Sequence, residues 1–174
     1  MKLDDDDFAL FGLPPRFEVD RAALDARWRA LQAEVHPDRF AAEGASAQRL
    51  AMQWAVRINQ AYQRLKDPLR RAAYLCELRG APVNAESNTA MPADFLMQQM
   101  GWREDLEAAN DPAAVDALER DRRRAETTML DELAHALDER GDATAAAQQV
   151  RALMFVDRFR QDLDRRLETL ETSR

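Results

Sequence analysis

Residues 34–40 read EVHPDRF, and the fold turns on how this stretch is read. A proline disfavours helix in the residue before it, so Pro37 ends any helix at about Val35. Working backwards, Asp20 is a good N-cap, and Leu24, Trp28, Leu31 and Val35 recur on one helical face. Working forwards, HPDRFAAEGA (36–45) reads as a loop into a helix from about Ser46 to Lys66. Leu50, Trp54, Ile58, Ala61 and Leu65 are the expected buried stripe of that helix. The stretch is therefore the connection of a helical hairpin.

Short elements flank the hairpin. A helix over Asp5 to Phe11 is ended by Gly12 and the Pro14-Pro15 pair. Asp67-Pro68 restarts the chain as N-cap and first helical residue, and Gly80 sits where a left-handed C-terminal residue belongs. Residues 81–91, APVNAESNTAM, lack periodicity and read as a linker. A second helical unit follows. One helix runs from Pro92 to about Asn110, with Phe95, Trp102, Leu106 and Ala109 together on its core face. Asp111-Pro112 opens the next, lined by Val115, Leu118, Ala125, Met129, Leu133 and Leu137 and closed by Gly141. The last spans about Ala143 to Leu170, with Leu153, Val156, Phe159, Leu163, Leu167 and Leu170 inward. Three antiparallel helices with short turns make a small bundle. The expectation is an all-α chain in two domains, 1–80 and 92–174, joined by 81–91.

Bulk properties agree. The 174 residues are 46% hydrophobic and include only five glycines, enough for packed cores and against extended sheet. No apolar run approaches the roughly 20 residues of a membrane span. The acidic start, MKLDDDDF, resembles neither a signal nor a transit peptide, and a single cysteine, Cys76, fits a reducing cytoplasm. The net charge of −7 is uneven: residues 1–80 hold 13 basic and 12 acidic side chains, residues 81–174 hold 12 and 20. The halves should prefer partners of different charge, and neither has the basic stripe of a nucleic-acid binder.

Two surfaces exceed what packing requires. Leu96, Met97 and Met100, with Glu104 among them, lie roughly 100–200° around the helix from Phe95, off its core face. Two methionines and a leucine there suit an adaptable binding surface, unless the linker folds back over them. Phe155 lies beside its helix's stripe, where it either caps the bundle edge or extends that patch. The triplet His36-Pro37-Asp38 is the second surface. It makes a poor metal site, since His135 is the only other histidine. As a catalytic dyad it lacks a nucleophile, a phosphate loop or a second organised carboxylate. As a contact motif it works: a rigid turn presents a hydrogen-bonding imidazole and an anion. A helical enzyme or metal binder using His36, Asp38 and Cys76 is the competing reading.

The triplet, between a Trp-containing helix and a long second helix, resembles the J-domain that activates DnaK-type ATPases. The resemblance extends to FALFGLPPRFEVD (8–20), LQAEVHPDRF (31–40), RINQAYQRLKDPLRRAAYL (57–75) and DFLMQQMGWREDLE (94–107). Together these blocks resemble the HscB family, J-type co-chaperones of iron–sulfur cluster assembly. The resemblance implies a co-chaperone with no catalytic residues, cofactor or metal of its own. Its partners would be a DnaK-type (HscA-like) chaperone ATPase and an iron–sulfur scaffold protein (IscU-like), with neither nucleic acid nor membrane. It implies that His36, Pro37 and Asp38, with Arg27 and Arg29 of the preceding helix, meet the ATPase. It further implies that Leu96, Met97, Met100, Glu104 and Phe155 bind the scaffold. A J-protein serving another client is the alternative.

Departures from the family pattern are specific. Arg21, Arg27 and Arg29 are diluted by Asp25 and Glu34, and singly each arginine reads as a solvated residue. Gly101 and Ala108 stand where the family pattern is acidic, which should slow association more than weaken an apolar centre. Trp28 and Trp54 are expected core anchors, Cys76 a packed apolar residue, His135 exposed, and Asp4 to Asp7 an acidic helix start. The absence of a cysteine-rich zinc unit and of a transit peptide points to a bacterial, cytoplasmic form.

Overall fold

The computed structural model describes residues 1–173. Among them the regular structure is entirely helical: α1 (Asp7–Phe11), α2 (Arg21–Val35), α3 (Ala45–Lys66), α4 (Pro68–Leu78), α5 (Ala93–Ala108), α6 (Pro112–Ala134) and α7 (Ala143–Thr172). The chain divides into two compact units, the first Met1–Leu75 and the second beginning at Cys76. That division falls inside α4, five residues before the expected end of the first domain.

In the first unit the helix boundaries follow their caps. Asp20 accepts the Ala23 N–H, and α2 ends at Val35 because Pro37 forces His36 into extended backbone (φ −61°, ψ 128°). The following stretch is tighter than a loop: Pro37–Glu43 winds as a 3-10 helix. Helices α2 and α3 are antiparallel, since Tyr62 pairs with Asp25 and Asn59 pairs with Trp28 and Gln32. Their interior holds Leu24, Leu31, Ile58, Ala61 and Leu65, all essentially inaccessible. Burying each such aliphatic side chain contributes about 1.5–3 kcal/mol before chain entropy is charged against it.

Three expectations need correction here. Leu50 does not join the buried stripe; it is 48% exposed, and Ala51 and Tyr62 are buried instead. Neither Trp28 nor Trp54 is a fully buried anchor. The Trp28 ring stacks on Tyr62 at 4.4 Å while its indole N–H reaches Asn59, so it seals the edge of the hairpin. Finally, the acidic helix start falls two residues later than expected, and one of its carboxylates is buried. Asp6 caps α1 through the Ala9 N–H, so the helix begins at Asp7 rather than Asp5. The Asp7 carboxylate is wholly buried, with Arg57 Nη1 at 2.7 Å and Arg64 Nε at 3.4 Å. The Arg64 contact is an ion pair without hydrogen-bond alignment, because Asp7 Oδ2 accepts no hydrogen bond. The Asp7 N–H donates to the Tyr74 hydroxyl, tying α1 to α4 as well.

In the second unit Asp111 and Asp142 cap α6 and α7 through the N–H groups of Ala114 and Ala145. Helix α6 runs into a π turn, His135–Glu139, and Gly141 turns the chain with φ 63°, a value that suits glycine. Gln149 reaches the Met129 carbonyl, so α6 and α7 are antiparallel about this turn. Helix α5 is fastened by rings. Trp102 stacks on Phe159 at 5.2 Å, and Phe95 meets Phe155 edge-on at 5.8 Å. Segment 81–91 has no helix, but it is tied down: the buried Arg151 guanidinium donates to the carbonyls of Val83 and Ala90.

Candidate functional site

The triplet's geometry follows from its proline. Pro37 opens the 3-10 turn, and the Asp38 N–H donates to His36 Nδ1 at 3.3 Å, so the imidazole caps the turn. The nitrogen that accepts this bond faces the turn, which leaves Nε2 as the ring's outward donor. Arg39 folds back to donate to the Ala33 carbonyl and binds the turn to the last turn of α2. The His36 and Asp38 side chains are 59% and 92% exposed, and their closest approach, 3.7 Å, is too long for a hydrogen bond. The turn therefore presents one donor and one unengaged carboxylate, side by side on a rigid backbone.

Arg27 and Arg29 are exposed on α2. The dilution by Asp25 is smaller than composition suggests. The Tyr62 hydroxyl donates to Asp25 at 2.7 Å and Arg21 pairs with it at 2.8 Å; these two bonds hold its carboxyl below the usual range. Asp25 thus bonds first to Tyr62 and Arg21 and acts on Arg29 only through space.

On α5 the off-core residues face outward. Leu96 is 40%, Met97 77% and Met100 61% exposed, and Glu104 is exposed on the same face. The linker does not fold over them. Of the two readings of Phe155, the structure has the bundle-edge one: it is only 7% exposed, wedged between Phe95 and Phe159 with the Arg103 guanidinium 5.2 Å above its ring. It supports the patch from beneath instead of extending it. The one-residue offset from the stripe put it at the α5 contact, not in solvent. Gly101 lies mid-helix with open space beside it, and nothing in the structure explains the glycine. On the other side of α5, Phe95, Trp102 and Met129 floor a cleft of about 720 Å³ walled by polar residues including Gln98, Arg124 and Gln149.

The sequence reading missed one exposed apolar pair. Met52 and Val56, each 57% exposed and one turn apart on α3, line a shallow cleft with Gln53, Arg57 and Gln60. Their i, i+4 spacing off the buried stripe was the available signal. Cys76 is fully buried, and desolvation pushes its thiol up to about 11, so burial and protonation both work against thiolate chemistry there. His135 is exposed and pairs with Glu139 at 2.8 Å. Among the described residues no three His, Cys, Asp or Glu side chains gather as a metal site, and no helix is long and apolar enough to cross a membrane.

Residues 91–164 match the family model described as the HSCB C-terminal oligomerisation domain. A co-chaperone protein HscB homolog of Bordetella petrii is 53% identical over 160 residues, covering 91% of this chain and 94% of the relative. One from Burkholderia multivorans is 50% identical over 99% of both chains. The solved chaperone HscB of Vibrio cholerae superposes with a TM-score of 0.78 at 39% identity, over 95% of this chain and 99% of that one. With half of its residues identical to these relatives over nearly their whole length, and the helical architecture of the solved HscB, the chain belongs to the HscB co-chaperone family.

Proposed function

We propose that this co-chaperone stimulates a DnaK-type, HscA-like ATPase and delivers to it an IscU-like iron–sulfur scaffold protein, assisting cluster assembly without catalysing a reaction itself. The two duties divide along the chain, with the J-domain over 1–80, a tethered linker over 81–91 and scaffold binding over 92–174. His36, Pro37 and Asp38 engage the ATPase: the imidazole N–H donates, Asp38 pairs with a basic group, and Arg27 and Arg29 meet an acidic patch. Leu96, Met97 and Met100 form the apolar centre of the client surface, Glu104 supplies charge at its rim, and Phe155 holds α5 in place.

The observation that carries the client reading is the exposure of Leu96, Met97 and Met100 on a helix whose opposite face is already packed. Solvating three neighbouring large apolar side chains is unfavourable, and a partner relieves it. Calorimetric titration of purified scaffold protein into this chain tests the reading. The wild type should bind, and Leu96→Ala/Met97→Ala/Met100→Ala should lose at least about 2 kcal/mol, as truncated hot spots do. No binding by the wild type would reassign the client while leaving the ATPase contact standing.

A further inference from the structure

We propose that Met97 and Met100 form a reversible oxidation switch: peroxide converts them to sulfoxides, and the oxidised patch releases its client. The inference rests on the client reading above and adds regulation to that surface.

The chain has seven methionines, and their environments divide sharply. Met97 is 77% and Met100 61% exposed, whereas Met129 is 7% exposed and Met91 and Met154 are half-buried. Met1 and Met52 are also open, at 59% and 57%, but they belong to the first unit and lie outside the α5 patch. Met97 and Met100 lie three residues apart on α5, so both sulfurs belong to one surface. No other stretch of the described chain pairs two such exposed thioethers.

The chemistry needs only an open sulfur and a peroxide. A thioether lone pair attacks one peroxide oxygen, the O–O bond breaks as the S–O bond forms, and hydroxide departs. That hydroxide takes the proton from the transferred oxygen and leaves as water, so sulfur is oxidised and peroxide reduced. The product is a strongly polar sulfoxide. Buried in an apolar interface it loses the hydrogen bonds that water gave it, a cost the reduced thioether does not carry. Both side chains point away from the aromatic packing of Phe95, Trp102, Phe155 and Phe159, so oxidation alters the surface and spares the fold. Sulfoxide reductases reverse the change.

The test treats this protein alone with hydrogen peroxide, removes the peroxide, and then measures apo scaffold binding by calorimetry and site oxidation by peptide mass spectrometry. Met97 and Met100 should oxidise well before Met129. Binding should weaken by at least about tenfold, roughly 1.4 kcal/mol, with an unchanged melting curve, and recover after reductase treatment. Whatever scaffold affinity Met97→Leu/Met100→Leu has before peroxide, it should keep after peroxide, although its Met52 oxidises. Undiminished binding by fully oxidised wild type overturns the proposal, as does equal loss in the leucine variant. Failure of untreated wild type to bind is a different result: it overturns the client reading and the switch with it.

Discussion

At position 36 one imidazole ring does two things at once. Its Nδ1 accepts the Asp38 N–H and holds the turn, while Nε2–H is left to donate outward. The two roles separate by substitution. His36→Asn supplies a short side-chain oxygen that still caps the turn, while its amide N–H groups fall short of where the imidazole Nε2–H projects. Its stability should stay within about 0.5 kcal/mol of wild type while ATPase stimulation falls at least tenfold or so. Equal stimulation by this variant in a single-turnover assay would assign the triplet a purely structural role. Asp7 makes the complementary case. Asp7→Ala removes a fully buried carboxylate from Arg57, which is 21% exposed and keeps the Leu3 and Asp5 carbonyls, and urea denaturation of the whole chain should show about 2 kcal/mol lost. A loss below about 1 kcal/mol would mean the carboxylate is dispensable. The sequence hides Asp7 among four consecutive aspartates, because what selects it is Arg57, fifty residues further on. By contrast the triplet was legible, since a proline acts on its immediate neighbours.

At the scale of the element, periodicity showed which faces are buried, and polar side chains decided the details that periodicity missed. The two stripes of α5 were readable from spacing alone. The 3-10 turn after α2 was not, because it depends on a side-chain cap and on Arg39 folding back. Phe155 was ambiguous because a residue 100° off one stripe is core only if another helix arrives there, as α5 does. Within α6, Arg122 is 5% exposed and held by Glu119 at 2.7 Å and Glu126 at 2.5 Å. The Arg122 bond, aided by Arg123, pulls the Glu119 carboxyl from 4.5 down to about 2. A carboxyl whose folded value is depressed stabilises the native state above its unfolded value and loses that contribution as pH falls through the folded one. Glu119→Gln should therefore cost about 1.5 kcal/mol at pH 7, a typical value for a hydrogen bond to a charged group. The gap between variant and wild type should shrink as pH drops from about 4.5 towards 2 in thermal melts. A gap independent of pH would mean that shape, not charge, holds Glu119.

For the molecule as a whole, the two proposed contact surfaces belong to units with separate cores: the triplet to residues 1–75, the apolar patch to the unit that follows. The uneven charge of the halves had already suggested two partners of different character. Where the first unit ends was less legible, because Gly80 terminates α4 cleanly while the packing divides earlier, within the helix. Separate cores have an energetic consequence. Substitutions that share no partner side chains add within about 0.5 kcal/mol, or about twofold in an equilibrium constant. His36→Gln should accordingly leave scaffold affinity within about twofold of wild type. The Leu96→Ala/Met97→Ala/Met100→Ala variant should likewise leave scaffold-free ATPase stimulation within about twofold. Stimulation that requires a delivered client should be lost in both, since delivery needs the two contacts on one chain. Calorimetry and steady-state ATPase assays on both variants, with and without scaffold, decide it. If the patch variant also lost more than about fivefold of its scaffold-free stimulation, the two units would be energetically coupled, and the division of labour along the chain would have to be replaced by a single extended contact surface.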